Sequence, residues 1–164
     1  QGANLQGANL GYVDLGLVDL SGSDLRGANL QSIKLHNTNF TGDNMNHVDL
    51  SSVKLESANF SNAKFGHANF SGTDFENVDF SNFDLSDSNF RNAKLARVNF
   101  SNTKCNNCNF SFADLKMAEL NGTDFSRSNF TMTDICGVDL SGSNLSGVFL
   151  DDEFTAVKCD SSTK

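Results

Sequence analysis

Cys105-Asn106-Asn107-Cys108 has the C-x-x-C spacing that supports thiol–disulfide exchange or metal binding. His47 and His67 stand twenty residues apart, and Asp87 follows at the same interval. Imidazoles and a carboxylate together are a zinc ligand set. Beyond these groups the chemistry-bearing residues thin out. The three histidines form no Ser-His-Asp grouping, and there is no Gly-rich phosphate loop. Whether the thiols or the imidazoles can act depends on what positions them.

The positioning element is a repeat of five residues. Every fifth residue from Leu5 to Leu150 is large and apolar: sixteen Leu, eleven Phe, Met45, Cys105 and Ile135. Two residues earlier lies a small slot of Ala, Val, Thr, Ser and Cys108, broken only by Ile33, Asp43 and Phe83. The residue before the large one is Asn, Asp, Lys or Glu in every unit except the last, which has Phe149. The other two slots are rich in Ser, Gly and Asn, as turns require. A period of five fits neither a 3.6-residue helix nor a two-residue strand, so these patterns predict a solenoid with two inward slots per unit.

The units, beginning with QGANLQGANL, resemble the pentapeptide-repeat family and its A(D/N)LXX consensus, and the match runs without a gap over residues 1–150. The resemblance implies an all-β fold, a right-handed quadrilateral β-helix with one unit per side and four per coil. Thirty units then give about seven and a half coils, a rod of roughly 36 Å at about 4.8 Å per strand. Residues 151–164 leave the pattern, and their Phe154, Ala156 and Val157 are candidates to cap the last coil. The chain begins with Gln1 and not Met, so a processed or trimmed chain is expected.

Within this frame the candidate chemistry has a structural explanation. Cys105 fills a large inward slot and Cys108 a small one, and buried cysteines of this kind are inert. Cys136 is outward and Cys159 lies in the tail; a bridge between them would staple a cap if their Cα atoms approach within about 7 Å. His47, His67 and Asp87 form a vertical column facing solvent. Asp43 places a carboxylate in the small inward slot, which is costly unless it is hydrogen-bonded. Phe83 occupies the same column two coils later and is expected to force a local outward bend. No catalytic residue, metal site or cofactor is expected.

At four units per coil the polar slot sorts into four columns. One has mixed charge (Asp14, Lys34, Lys54, Asp74, Lys94, Asp114, Asp134), and a second is similar from Asn4 to Asn144. A third, from Asn9 to Asn129, is nearly all amide. The fourth has no base, and its Asp19, Asp79, Glu119 and Asp139 form a candidate acidic stripe. Apolar residues are rare in the outward turn slots. Tyr12, Phe112 and Met132 share one corner, and Leu17 and Met117 share the next; these five form the candidate interaction patch.

Twenty acidic residues against twelve basic ones give a formal charge of −8, which disfavours direct nucleic-acid binding and leaves a protein partner open. No apolar run approaches the roughly 18 residues of a membrane span, so insertion is not expected. The resemblance implies a non-enzymatic scaffold that contacts another protein or self-associates. Acidic family members that confer quinolone resistance occupy the DNA site of gyrase, so the alternative it implies is a DNA-mimicking inhibitor or protector of a type II topoisomerase.

Overall fold

The computed structural model describes residues 1–55, 57–75 and 78–151. Each unit pairs in parallel with the unit twenty residues on, through its polar-slot residue: Asn4 with Asp24, Asp24 with Asn44, and so on to Asn129 with Phe149. Twenty residues per coil in four pairing columns make a quadrilateral solenoid. Its faces are called here the Asn4, Asn9, Asp14 and Asp19 faces, after the first residue of each column.

Two backbone hydrogen bonds hold a typical pairing. Leu25 N–H donates to the Asn44 carbonyl at 2.8 Å, and Asn44 N–H donates to the Ser23 carbonyl at 2.9 Å. Corners are four-residue turns. Ala28 N–H reaches back to the Leu25 carbonyl at 2.9 Å, across Gly27 at φ 64°. Positive φ at the third residue is the type II pattern. The polar slot closes the same corner from outside: Asp49 Oδ1 accepts the Ser51 N–H at 2.9 Å, and Asn99 Oδ1 accepts that of Ser101 at 2.9 Å. A short side chain with an acceptor oxygen suits this bond, which accounts for the predominance of Asn and Asp in the slot.

Inside, the large slots stack coil on coil. Phe70, Phe90, Phe110 and Phe130 form a ladder with ring centres 5.0, 5.0 and 5.1 Å apart. The small slot has its own logic. Thr103 Oγ1 donates to the Phe80 carbonyl at 2.7 Å and Thr123 Oγ1 to that of Phe100 at 2.6 Å, so buried hydroxyls satisfy the corner carbonyls of the preceding coil.

Asp43 is fully buried in this hydroxyl position. Its Oδ1 accepts the Ser23 N–H at 2.9 Å, whereas Oδ2 is buried without a partner. Burial pushes its carboxyl up to about 6.

At Phe83 the finding is a break in the pairing. Pairing runs through every successive polar-slot pair from Asn4 to Phe149 except two: Asn59 with Asp79 and Lys64 with Asp84. These pairs flank the corner that leads into Phe83. Its ring lies 6.2 Å from that of Phe65 and 5.6 Å from that of Phe80, too large for a slot that holds Ala63 one coil before and Thr103 one coil after. The column Phe40, Phe60, Phe80, Phe100, set at coil spacing, is correspondingly interrupted. Phe40 stacks on Phe60 at 5.1 Å and Phe80 on Phe100 at 5.7 Å, but no ring contact joins Phe60 to Phe80. The coils stay paired on the other two faces, through Lys54 with Asp74 and Asn69 with Asn89.

Burial also weakens at both ends of the described coils, contrary to the expectation of uniformly inward large residues. Leu5, Leu10 and Leu15 are half-buried, and Leu145 and Leu150 are 45% and 52% exposed. An apolar hollow of about 140 Å³ opens at the second end between Phe130, Ile135, Leu140, Leu145, Val148 and Leu150. At that end Asp151 Oδ2 accepts the Met132 N–H at 2.8 Å, where a backbone carbonyl accepts in earlier coils.

Candidate interaction surface

The residues with potential chemistry are placed by the repeat. Cys105 and Cys108 are buried, and burial holds the Cys105 thiol well above its ordinary range. Cys108 Sγ lies 3.0 Å from the Leu85 carbonyl, in the role the Thr hydroxyls play elsewhere. Cys136 is half-buried on an outer slot; Cys159, and with it the proposed bridge, lies outside the described residues, as do Phe154, Ala156 and Val157. The His47 and His67 rings stack nearly parallel, with centres 4.7 Å apart and planes 7° apart. His67 Nε2 is 3.7 Å from Asp87 Oδ2, and Asn107 Nδ2 donates to Asp87 Oδ1 at 3.1 Å. Face-to-face rings direct their nitrogen lone pairs sideways rather than toward a shared centre. Among the described residues no group of three His, Cys, Asp or Glu could hold a metal ion.

The five outward apolar residues lie on the two corners that bound a single face, the Asp14 face. Tyr12, Phe112 and Met132 are on one corner, and Leu17 and Met117 on the other. Their exposures are 78%, 46%, 50%, 74% and 56% respectively. All five stand at positive φ, between 57° and 64°. A bulky L-residue there is strained, and solvent offers its side chain no compensating burial. The other two corner columns carry Gly, Asn, His, Asp and Arg at this position and no apolar residue.

The apolar residues form two groups. Toward the first coil, Tyr12 and Leu17 flank Val13, which is 40% exposed although it stands in a small inward slot. Five coils on, at about 4.8 Å per coil, Phe112 and Met117 flank Asp114, and Met132 stands one coil above Phe112. The Arg91 guanidinium sits 4.5 Å from the centre of the Phe112 ring and donates from Nη1 to Ser111 Oγ at 3.0 Å. Met117 lies across Gly137, whose lack of a side chain leaves room for the thioether: a Cβ there would sit 2.3 Å from Met117 Sδ. Between the corners, Lys94 pairs with Asp74 at 3.3 Å and Lys116 with Asp134 at 2.9 Å. The Arg91 contact was not legible in the repeat; the signal would have been a basic residue one coil below an outward aromatic.

The candidate acidic stripe occupies the Asp19 face and is divided at the missing pairing of Asn59 with Asp79. Asp19 is taken up in local bonds: it accepts from Gln1 Nε2 at 2.5 Å, Asn39 Nδ2 at 3.1 Å and Ser21 N–H at 3.0 Å. The Gln1 bond, with those from Ser21, lowers its carboxyl to about 2. Asp79 and Glu119 are exposed, and Asp139 is half-buried with Oδ1 on the Ser141 N–H at 2.9 Å.

Comparison with known proteins agrees with this architecture. The family model described as a pentapeptide repeat region matches residues 13–90, and the one described as pentapeptide repeats (8 copies) matches residues 84–116 and 103–142. No curated protein matches the sequence. Full-length QnrB1, a plasmid-mediated fluoroquinolone resistance protein, is 16% identical, with a TM-score of 0.55 over 95% of this chain and 92% of that one. HetL, a pentapeptide repeat protein involved in heterocyst differentiation regulation from the cyanobacterium Nostoc sp. strain PCC 7120, is 20% identical, with a TM-score of 0.49 over 93% of this chain and 86% of that one. The five-residue units, the four paired faces and the two family models identify the chain as a member of the pentapeptide-repeat family, folded as its right-handed quadrilateral β-helix.

Proposed function

We propose that this protein is a non-enzymatic scaffold that binds another protein through the Asp14 face. The observation that carries this reading is the confinement of Tyr12, Leu17, Phe112, Met117 and Met132 to the two corners of that face, all exposed and all at positive φ. Solenoid stability needs none of them, because the opposite corners form the same turns with Gly and Asn. Clustered exposed apolar side chains with a polar surround have the composition of a binding surface, and a cation over an aromatic ring orders one of its anchors. The core is filled by stacked side chains, which favours contact with a partner's surface over enclosure of a small substrate. The test is sedimentation and partner capture with Phe112→Ser/Met132→Ser against wild type. Loss of self-association or of a captured protein supports the face; unchanged mass and unchanged capture reject it.

A second reading, a DNA-mimicking inhibitor or protector of a type II topoisomerase, has one observation in its favour: Asp79 and Glu119 stand exposed in a column without a base. It requires the wild-type protein to alter gyrase supercoiling, and neutralising Asp79, Glu119 and Asp139 to weaken that effect. No effect well above about micromolar concentration, where weak protein contacts saturate, removes it.

A further inference from the structure

The opening at Phe83 leaves two lips of unpaired backbone. On the earlier coil the N–H groups of Phe60, Asn62 and Phe65 have no partner among the described residues, and neither do the carbonyls of Ala58 and Ala63. On the later coil the same holds for the N–H groups of Asp79 and Asp84 and the carbonyls of Asp79, Ser81 and Asp84. Both lips keep strand geometry because each is still paired on its far side. Asn59 N–H donates to the Thr38 carbonyl at 2.9 Å and Lys64 N–H to that of Asp43 at 2.9 Å. Phe80 and Leu85 donate to the Asn99 and Lys104 carbonyls, both at 2.8 Å. Between the lips lie two open hollows of about 780 and 920 Å³ that meet at Ser81 and Phe83.

We propose that this cleft is a strand-acceptor site that takes an extended polypeptide segment of a partner protein and pairs its backbone with both lips. Unpaired donors and acceptors in strand register are recognised by another polypeptide backbone, which presents the same groups at the same spacing. A small ligand cannot satisfy alternating groups on two adjacent faces at once. The Phe83 ring also restricts the occupant. It fills the interior side of the gap, so side chains of the incoming segment that point inward must be small. The lips turn a corner between Ser61–Asn62 and Ser81–Asn82, so the segment needs a residue such as Gly that accepts positive φ there. The cleft lies on the Asp19 and Asn4 faces, away from the corners of Phe112 and Met132, so its failure and that of the proposed binding face are separately observable.

The experiment selects binders to the full chain from a phage-displayed library of random decapeptides and follows them by amide hydrogen exchange. In the free chain the Phe60, Asn62, Phe65, Asp79 and Asp84 amides should exchange at least about tenfold faster than those of Phe70 and Phe90, which are bonded. Selected peptides, rich in Gly and Ala, should slow the same amides and should not bind Phe83→Thr, which installs the residue used at Thr103 and Thr123. Phe83→Ala provides the same arm should the threonine variant fail to fold. Slow exchange at the lips of the free chain overturns the proposal. So does the absence of binders, or binders that leave those amides unchanged or bind the closed variant equally well.

Discussion

The Arg91 guanidinium covers the Phe112 ring at 4.5 Å, and the two residues belong to successive coils on one corner of the Asp14 face. The contact orders an aromatic side chain that is 46% exposed at a backbone φ of 61°. If Phe112 anchors a partner, Arg91→Ala should weaken partner binding by about 0.5–1 kcal/mol, the usual worth of an exposed cation–π pair. Calorimetric titration of the variant checks this, with the melting temperature as the control for folding. Phe112→Ser should cost more than Arg91→Ala, since it removes the anchor itself.

Phe90 sits between Phe70 and Phe110, 5.0 Å from each ring, and is fully buried. Replacing it with Ala removes both stacking contacts and leaves a void that coils on either side cannot close without breaking their own pairing. Urea denaturation of Phe90→Ala should show a loss of about 3–5 kcal/mol. A loss below about 1 kcal/mol would mean that the ladder is not close-packed.

Asp43 makes stability depend on pH in a direction opposite to most carboxylates. Its pKa is raised from 3.8 to about 6 in the folded chain, chiefly by burial. Between those values the folded state holds a proton that the unfolded state has lost. The group's contribution is therefore complete below about pH 4, falls as pH rises toward 6, and is gone above it. The shift corresponds to about 3 kcal/mol as an order of magnitude. Asp43→Thr installs the hydroxyl used at Thr103 and Thr123. It should raise stability at pH 7 and remove most of the decline between pH 4 and 6 in chemical denaturation. An unchanged pH profile would show that Asp43 is not the titrating group.

The two cysteines of the C-x-x-C should respond differently to serine. Cys108 already acts as a donor to the Leu85 carbonyl at 3.0 Å, so Cys108→Ser keeps the bond and should change stability by less than about 1 kcal/mol. Cys105 stands in a large apolar slot, and Cys105→Ser puts a hydroxyl there at a cost of about 1–3 kcal/mol. Native-state labelling with a thiol reagent should leave both unmodified until the chain is unfolded. Labelling of either in the native chain would contradict their burial.

Much of this architecture is legible in the sequence because it is local and repeated. The spacing from Leu5 onward and the small slot from Ala3 specify which side chains point inward, and the twenty-residue stack of like residues follows from four units per coil. Asp43 and Phe83 stand out in the sequence as misfits, but their consequences depend on neighbours in adjacent coils. For Asp43 these are the Ser23 N–H and the absence of a second donor. For Phe83 they are the rings of Phe65 and Phe80, which leave its side chain no space unless the pairing opens. The five outward apolar residues were visible as exceptions in a turn slot. Their shared face was legible too, but their positive φ became apparent only once the corners were built. In the sequence the polar slot shows itself only as columns of charge and amide. In the structure it is first a turn-closing acceptor, as at Asp49 and Asn99, with ion pairs such as Lys94–Asp74 added where a base replaces the amide.

The central claim is that partners meet the Asp14 face, and site-specific photo-crosslinking tests it most directly. A benzophenone side chain is placed in turn at Phe112 and Met132, and at Gly22 and Arg127 on the two opposite corners, two coils away from the Phe83 cleft. All four positions have φ between 57° and 72°, so the substitution meets a similar backbone at each. The account predicts crosslinks to a partner protein or to a second copy from positions 112 and 132, and none from 22 and 127. Crosslinks of equal yield from all four positions, or from 22 and 127 alone, would contradict it.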